Sequence, residues 1–188
     1  MPLQRRTLIL SAAASSLTAL ATAALSQPAP AAPPEVARAL PLAQRAGSAR
    51  LRVFGFSVYD ATLWIEPGFS PTSFERHPLA LTLTYLRDLN GVAIAERSLV
   101  EMARSTPINP AQSQAWLAAM QVSFPDVRSG DRLTGLHNPS RGADFWLNGQ
   151  ARPGVADPEF SRLFFGIWLS QSTSEPEMRR ALLPRPPA

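Results

Sequence analysis

The segment Arg50–Ile65 constrains this chain most. It is rich in β-branched and aromatic residues. One parity carries Arg50, Arg52, Phe54, Phe56, Val58, Asp60 and Trp64. The other carries Leu51, Val53, Tyr59, Leu63 and Ile65. A run that is mostly apolar on both faces fits a central strand, or a hairpin, covered on both sides. Gly55 inside it fits a bulge or a close backbone approach, and Pro67-Gly68 ends it.

Leu79, Leu81, Leu83 and Tyr85 alternate with Thr82 and Thr84, which predicts a strand with one buried face. Asn90-Gly91 turns the chain into helices. Ala95, Leu99, Met102 and Ala103 fall on one helical stripe, and Pro107 stops that helix. Asn109-Pro110 restarts another, with Asn as cap and Pro in the first turn. Its stripe is Trp116, Leu117, Met120 and Phe124. Two short strands follow at Asp131–Leu136 and Ala143–Leu147, and Asn148-Gly149 is a tight-turn signal. Asp157-Pro158 then caps a helix whose stripe is Phe160, Leu163, Phe164, Ile167 and Trp168. Ser174-Glu175-Pro176-Glu177 matches a capping box for a last helix, about Glu175–Leu183. Strands come early and in the middle and helices cluster after them, so the class is α+β rather than alternating α/β.

The first residues read as an export signal. Arg5 and Arg6 precede an apolar run to Leu25, and no acid appears before Glu35. Ala24-Leu25-Ser26 offers small residues for cleavage after Ser26, making 1–26 a signal peptide. Arg5-Arg6-Thr7-Leu8-Ile9 also resembles a twin-arginine signal, and both export routes stay open. Residues 27–35 read as a proline-rich linker, 36–184 as one domain and 185–188 as a tail. The expected location is periplasmic, with no membrane anchor after processing.

Composition excludes several chemistries. The chain has no cysteine, so disulfides and thiolate catalysis are absent. All 18 basic residues are arginine, which removes lysine Schiff bases. The net charge of +4 falls to +2 once Arg5 and Arg6 are removed. No window interleaves clustered arginines with aromatics, so no nucleic-acid partner is expected. His77 and His137 have no carboxylate at helical ligand spacing and read as surface or turn residues, with no metal expected. There is no Gly-x-Ser-x-Gly elbow and no glycine-rich phosphate loop, and no cofactor is expected. Asp157 and Glu159 are explained by a helix first turn, and Asp126 and Asp131 by a turn around Gly130.

Arg50 and Arg52 stand out. At i and i+2 on an extended strand they share a face, and Phe54 and Phe56 continue it. A guanidinium beside an aromatic wall suits a ligand with an apolar body and an anionic head. The plain alternative is that both arginines pair with surface acids at a strand end.

Three stretches together resemble the chalcone isomerase-like family in its bacterial exported branch. The first is Ala49-Arg50 leading into Val58-Tyr59-Asp60-Ala61-Thr62-Leu63-Trp64. The second is Phe124-Pro125-Asp126-Val127 with Gly130-Asp131 and Asn148-Gly149. The third is Phe160 through Ile167-Trp168-Leu169. The resemblance implies an open-faced β-sandwich, a large antiparallel sheet covered by a layer of helices with a ligand cleft between them. It also implies a role for an arginine at the start of the first long strand. In the family's enzymes that arginine orients an anionic oxygen, and in its fatty-acid binders it holds the carboxylate. Arg50 matches best and Arg52 next. The enzymes' threonine falls here on Phe54, and Asn90–Ile94 lacks their tyrosine. The expectation is therefore a non-catalytic binder of a lipophilic or carboxylated, fatty-acid-like molecule through Arg50, Arg52, Phe54 and Phe56. The alternative is an isomerase, an intramolecular lyase on a non-flavonoid substrate, using Arg50.

Overall fold

The computed structural model describes residues 31–184. The segments read as signal peptide and tail, and the first part of the linker (27–30), lie outside them. The described part opens with a short helix, α1 (Pro34–Ala39), followed by β1 (Gln44–Val53) and β2 (Phe56–Ile65). A 3₁₀ turn at Pro71–Arg76 leads to β3 (Leu79–Tyr85). Helices α2 (Gly91–Met102) and α3 (Pro110–Ser123) come next. Then follow β4 (Arg132–Asn138), β5 (Gly142–Leu147) and β6 (Gln150–Val155). Helices α4 (Pro158–Leu169) and α5 (Pro176–Leu182) close the chain.

The six strands form one antiparallel sheet in sequence order. This is an α+β fold, an open-faced sandwich with α2–α5 on one face. The β1–β2, β4–β5 and β5–β6 connections are short, the 3₁₀ segment lies in β2–β3, and α2 and α3 fill β3–β4. The inner face carries Leu51, Tyr59, Leu63, Leu81, Leu83, Tyr85, Leu133 and Phe145, which join the main core with the helices. The outer face carries Arg50, Asp60, Thr62, Trp64, Thr82, Thr134 and Leu136. Part of it lies under α1, where Val36 and Leu40 bury Trp64, Ala80 and Leu136.

The linker reading ran two residues too far. Pro34 starts a helix because proline fits its first turn, and Glu35 is buried rather than extended in solvent. Its carboxylate accepts from Thr134 Oγ1 (2.8 Å) and Arg132 Nη2 (3.1 Å). Burial pushes Glu35 upward, but its backbone amide, Thr134 and Arg132 outweigh that and hold it below the usual carboxylate range.

Residues 50–65 are a hairpin. Phe54 and Gly55 both have positive φ, 49° and 82°, as a two-residue turn matched to strand twist requires. Asn148 and Gly149 make the same turn between β5 and β6, with φ of 51° and 83°. Strand β6 was not legible, because Pro153-Gly154 reads as a loop. An edge strand tolerates that proline.

Asn90, Asn109 and Asp157 cap their helices, accepting from Ala93, Gln112 and both Glu159 and Phe160 amides. Asp157 also accepts from Trp116 Nε1 at 2.9 Å, tying α3 to α4. The capping box expected at Ser174 does not form. Glu175 occupies the N-cap without a side-chain bond, and Thr173 Oγ1 accepts from its amide instead.

Helix α5 approaches β1 most closely, with the Ala181 and Leu182 carbonyls over Gly47, and helix α4 packs on the middle of the sheet. Phe165 packs on Gly135, where a Cβ would come within 3.1 Å of its ring. His137 is buried beside it, against the expectation of a surface histidine, because β4 runs through the middle of the sheet beneath α4. Its Nε2 bonds the Glu75 carbonyl at 3.1 Å and its Nδ1 bonds Ser161 Oγ at 2.6 Å. A carbonyl can only accept, so the proton sits on Nε2 and Nδ1 accepts from the serine. Phe164 stands among Phe124, Phe145, Phe160, Phe165 and Trp168, with ring centroids 5.3–5.7 Å away.

Two outcomes follow from this packing. Phe164→Ala should cost about 3–5 kcal/mol in urea melts, and Ile167→Ala less, since Ile167 is only half-buried. Burial, with the Glu75 carbonyl opposing it, depresses the folded-state pKa of His137. The unfolded chain therefore binds the proton more readily. Stability should be full above about pH 6.5 and fall as pH drops below it. Urea midpoints measured between about pH 7.5 and 5 should show that fall, and His137→Gln should remove it.

Candidate functional site

The inner sheet face and the helices separate at one end of the strands and leave a cavity of about 550 Å³. Its sheet wall is Leu51, Val58, Tyr59, Leu83, Tyr85 and Leu133. Its helix wall includes Ile94 and Ser98 of α2, Phe164, Ile167 and Trp168 of α4, and Met178 of α5. Exposed residues at its edge, Phe54, Arg87, Arg97 and Glu175, place the mouth at the surface. The lining is apolar with a few polar groups, and the volume lies in the range of sites for small ligands.

The strands place the two tyrosines by parity. Tyr59 on β2 pairs with Tyr85 on β3, and their rings meet edge to face at 6.0 Å. Tyr59 Oη accepts from Trp168 Nε1 at 3.0 Å, which locks α4 to β2. Burial, seconded by the nearby Glu175 and Glu101 carboxylates, pushes the Tyr59 phenol up to about 12. Burial pushes Tyr85 up as well. Both therefore keep their protons and can offer O–H donors to a guest, but neither serves as a base near neutrality.

The charged groups of the lining are partly committed. Arg97 Nη2 lies 2.5 Å from Glu101 Oε1 along α2. Glu101 is buried, and its Oε2 accepts no hydrogen bond among the described residues, although Arg104 Nε is 3.6 Å away. Arg87 sits with its guanidinium 5.8 Å from the centre of the Phe56 ring and has no ion pair among the described residues.

The residues singled out from sequence are not gathered here. Arg50 and Arg52 have the parity of the outer face, opposite to Leu51 and Val53, and neither lines the cavity. Arg50 holds Asp60 through two bonds, Nε–Oδ1 at 2.6 Å and Nη2–Oδ2 at 2.7 Å. The Arg50 bond accordingly lowers the Asp60 pKa. Phe54 and Phe56 do not continue the Arg50 face, because the turn at Phe54-Gly55 folds the segment back. Val58 is an extra residue in β2, since Leu51 pairs with Tyr59 but Arg52 with Ser57. That bulge breaks the parity count again. Of the four, Phe54 alone reaches the cavity, at its mouth; Phe56 stands outside it.

Strand parity opposite to Arg50 sets Tyr59 aside in the sequence, and Tyr85 and Arg87 carry no site motif there. A weaker signal for the tyrosines is present, since each ends an aliphatic stripe with a polar tip on the core side. Arg87 lies beyond β3, where no periodicity assigns it a face.

The chain matches the family model described as chalcone isomerase-like over residues 45–184. It is 31% identical over 140 residues to a protein of Haemophilus influenzae described as uncharacterized, covering 74% of this chain and 67% of that one. Its structure resembles the crystal structure of the Arabidopsis thaliana fatty-acid binding protein AtFAP1. The TM-score is 0.58 at 11% identity, over 75% of this chain and 86% of that one.

Because Arg50 faces away from the cavity, Arg50→Ala should leave the affinity for any cavity ligand and the urea midpoint almost unchanged. Binding titrations and melts on the same protein check both.

Proposed function

The chain belongs to the chalcone isomerase-like family, and from that premise we propose that it is a non-catalytic binder of a lipophilic small molecule held between sheet and helices. The observation that carries this reading is the apolar cavity of about 550 Å³ opening beside Phe54 and Arg87. Burying an alkyl chain there is favourable by about 0.8 kcal/mol per methylene. The name of the Arabidopsis structure supports a fatty-acid-like guest. Such a guest would put its tail against Leu83, Leu133 and Phe164 and its carboxylate at the mouth near Arg87. Arg87 rather than Arg50 is the cation in reach, because Arg97 is engaged by Glu101.

The tyrosines favour binding over turnover. Taking a proton from a substrate carbon needs a base, and Tyr59 and Tyr85, held in their protonated forms, are left to donate hydrogen bonds instead. We also propose that residues 1–26 direct export and are removed, so that the protein acts in the periplasm. N-terminal sequencing of the exported protein should begin near Gln27 rather than at Met1.

Filling the cavity tests the binding reading. Leu133→Trp from the sheet, or Ile94→Trp from α2, should weaken a fluorescent fatty-acid probe by about tenfold or more while the protein stays folded. Unchanged probe affinity in both folded variants would place the guest elsewhere.

A further inference from the structure

The tip of the β1–β2 hairpin has features that neither the sheet nor the cavity requires. Phe54 is 97% exposed, Phe56 66% and Val53 43%. Phe54 also sits at φ of 49°, in the left-handed region. That region is unfavourable for a bulky residue, and asparagine occupies the equivalent place in the Asn148-Gly149 turn. A phenylalanine here therefore costs fold stability and gains no packing in return. Strain of this kind at an exposed tip points to a use outside the fold.

The surroundings identify the use. Arg52 and Arg87 flank the tip, and neither has an ion pair among the described residues. The tip is also the rim of the cavity, since Val53, Phe54 and Arg87 line its mouth. Apolar side chains that protrude from a turn, ringed by unpaired arginines, complement a bilayer surface. The aromatics enter the acyl boundary and the guanidiniums meet lipid phosphates. No described helix is long and apolar enough to cross a membrane, so such contact would stay at the surface.

We propose that the Val53–Phe56 tip docks on phospholipid bilayers containing anionic lipid, and so brings the cavity mouth against the lipid. An apolar guest can then pass between bilayer and cavity without crossing water. The part about guest transfer rests on the cavity reading above; the docking itself does not.

Flotation of the full chain, purified without detergent, with phosphatidylcholine vesicles with and without phosphatidylglycerol tests this. Wild type should float with the anionic vesicles and less so as salt rises. Phe54→Asn should lower vesicle partitioning by about tenfold or more, yet raise the melting temperature, because it relieves the turn. That pairing of lost docking with gained stability cannot come from misfolding. Phe56→Ser, which puts no charge beside Arg87, should lose docking as well while keeping its affinity for the fluorescent fatty-acid probe. Ile94→Trp, which fills the cavity, should still float. Failure of the wild type to float with either vesicle, or flotation of Phe54→Asn equal to wild type, would overturn the proposal and leave the cavity reading standing. The tip would then be a surface for a protein partner.

Discussion

The cavity depends on the place where α4 touches the sheet. Gly135 lacks a side chain, and Phe165 lies on it at van der Waals distance. His137, one turn of the pleat further along β4, bonds Ser161 from the same helix. These contacts pin α4 at the end of the strands where β3 begins and β4 ends. Toward the opposite strand ends the layer is held off by large side chains, Phe164 and Trp168 from above and Tyr59 and Tyr85 from below. The cavity is the space that this geometry leaves. It is a consequence of close approach at one end and bulky spacers at the other, and the Trp168–Tyr59 bond fixes its width.

The same sheet separates apolar and charged groups by face. Aliphatic and aromatic residues point inward from every strand. Most strand charge lies on the outer face, where Arg50 and Asp60 close a bidentate pair and Glu35 meets Arg132 and Thr134 under α1; Arg152 at the β6 edge instead turns inward and donates to the α3 carbonyls of Ser123 and Val122. An exposed pair of that kind contributes little to stability. The buried one fastens the N-terminal helix to the sheet, and its loss would leave a carboxylate stranded. The cavity itself is left with hydroxyl donors, the arginine at its rim and the Arg97–Glu101 pair. That composition suits holding an amphiphile more than transforming one.

Much of the fold was legible. The Leu79–Tyr85 alternation and the Phe160–Trp168 stripe each declare one buried face, and Asn109-Pro110 and Asp157-Pro158 fix two helix starts; Asn90, read as a turn, proves to be a cap as well. The family resemblance then placed these elements in an open-faced sandwich. The site was harder to read for a physical reason. Strand parity assigns faces only while the register is unbroken, and residues 50–65 contain both a turn and a bulge. A hairpin signal of the Asn-Gly type is easy to see at residues 148–149. Phe-Gly at 54–55 hides the same turn, since phenylalanine is a poor occupant of positive φ. Counting through it joined Arg50 to Phe54 and Phe56 on a face that does not exist. The parity set aside, Leu51, Val53 and Tyr59, is the one that meets the cavity. His137 was misjudged similarly: a lone histidine in a polar stretch gives no sign of burial until β4 is known to be central.

The central claim is that the space beneath α2, α4 and α5 is a ligand site in solution. Native mass spectrometry of the chain, purified from its own cells without detergent, tests it most directly. The account predicts a lipophilic adduct bound one to one, removed by solvent extraction and regained when the stripped protein is offered the extract. Bare chain in every charge state, together with no saturable uptake by the stripped protein, would contradict it.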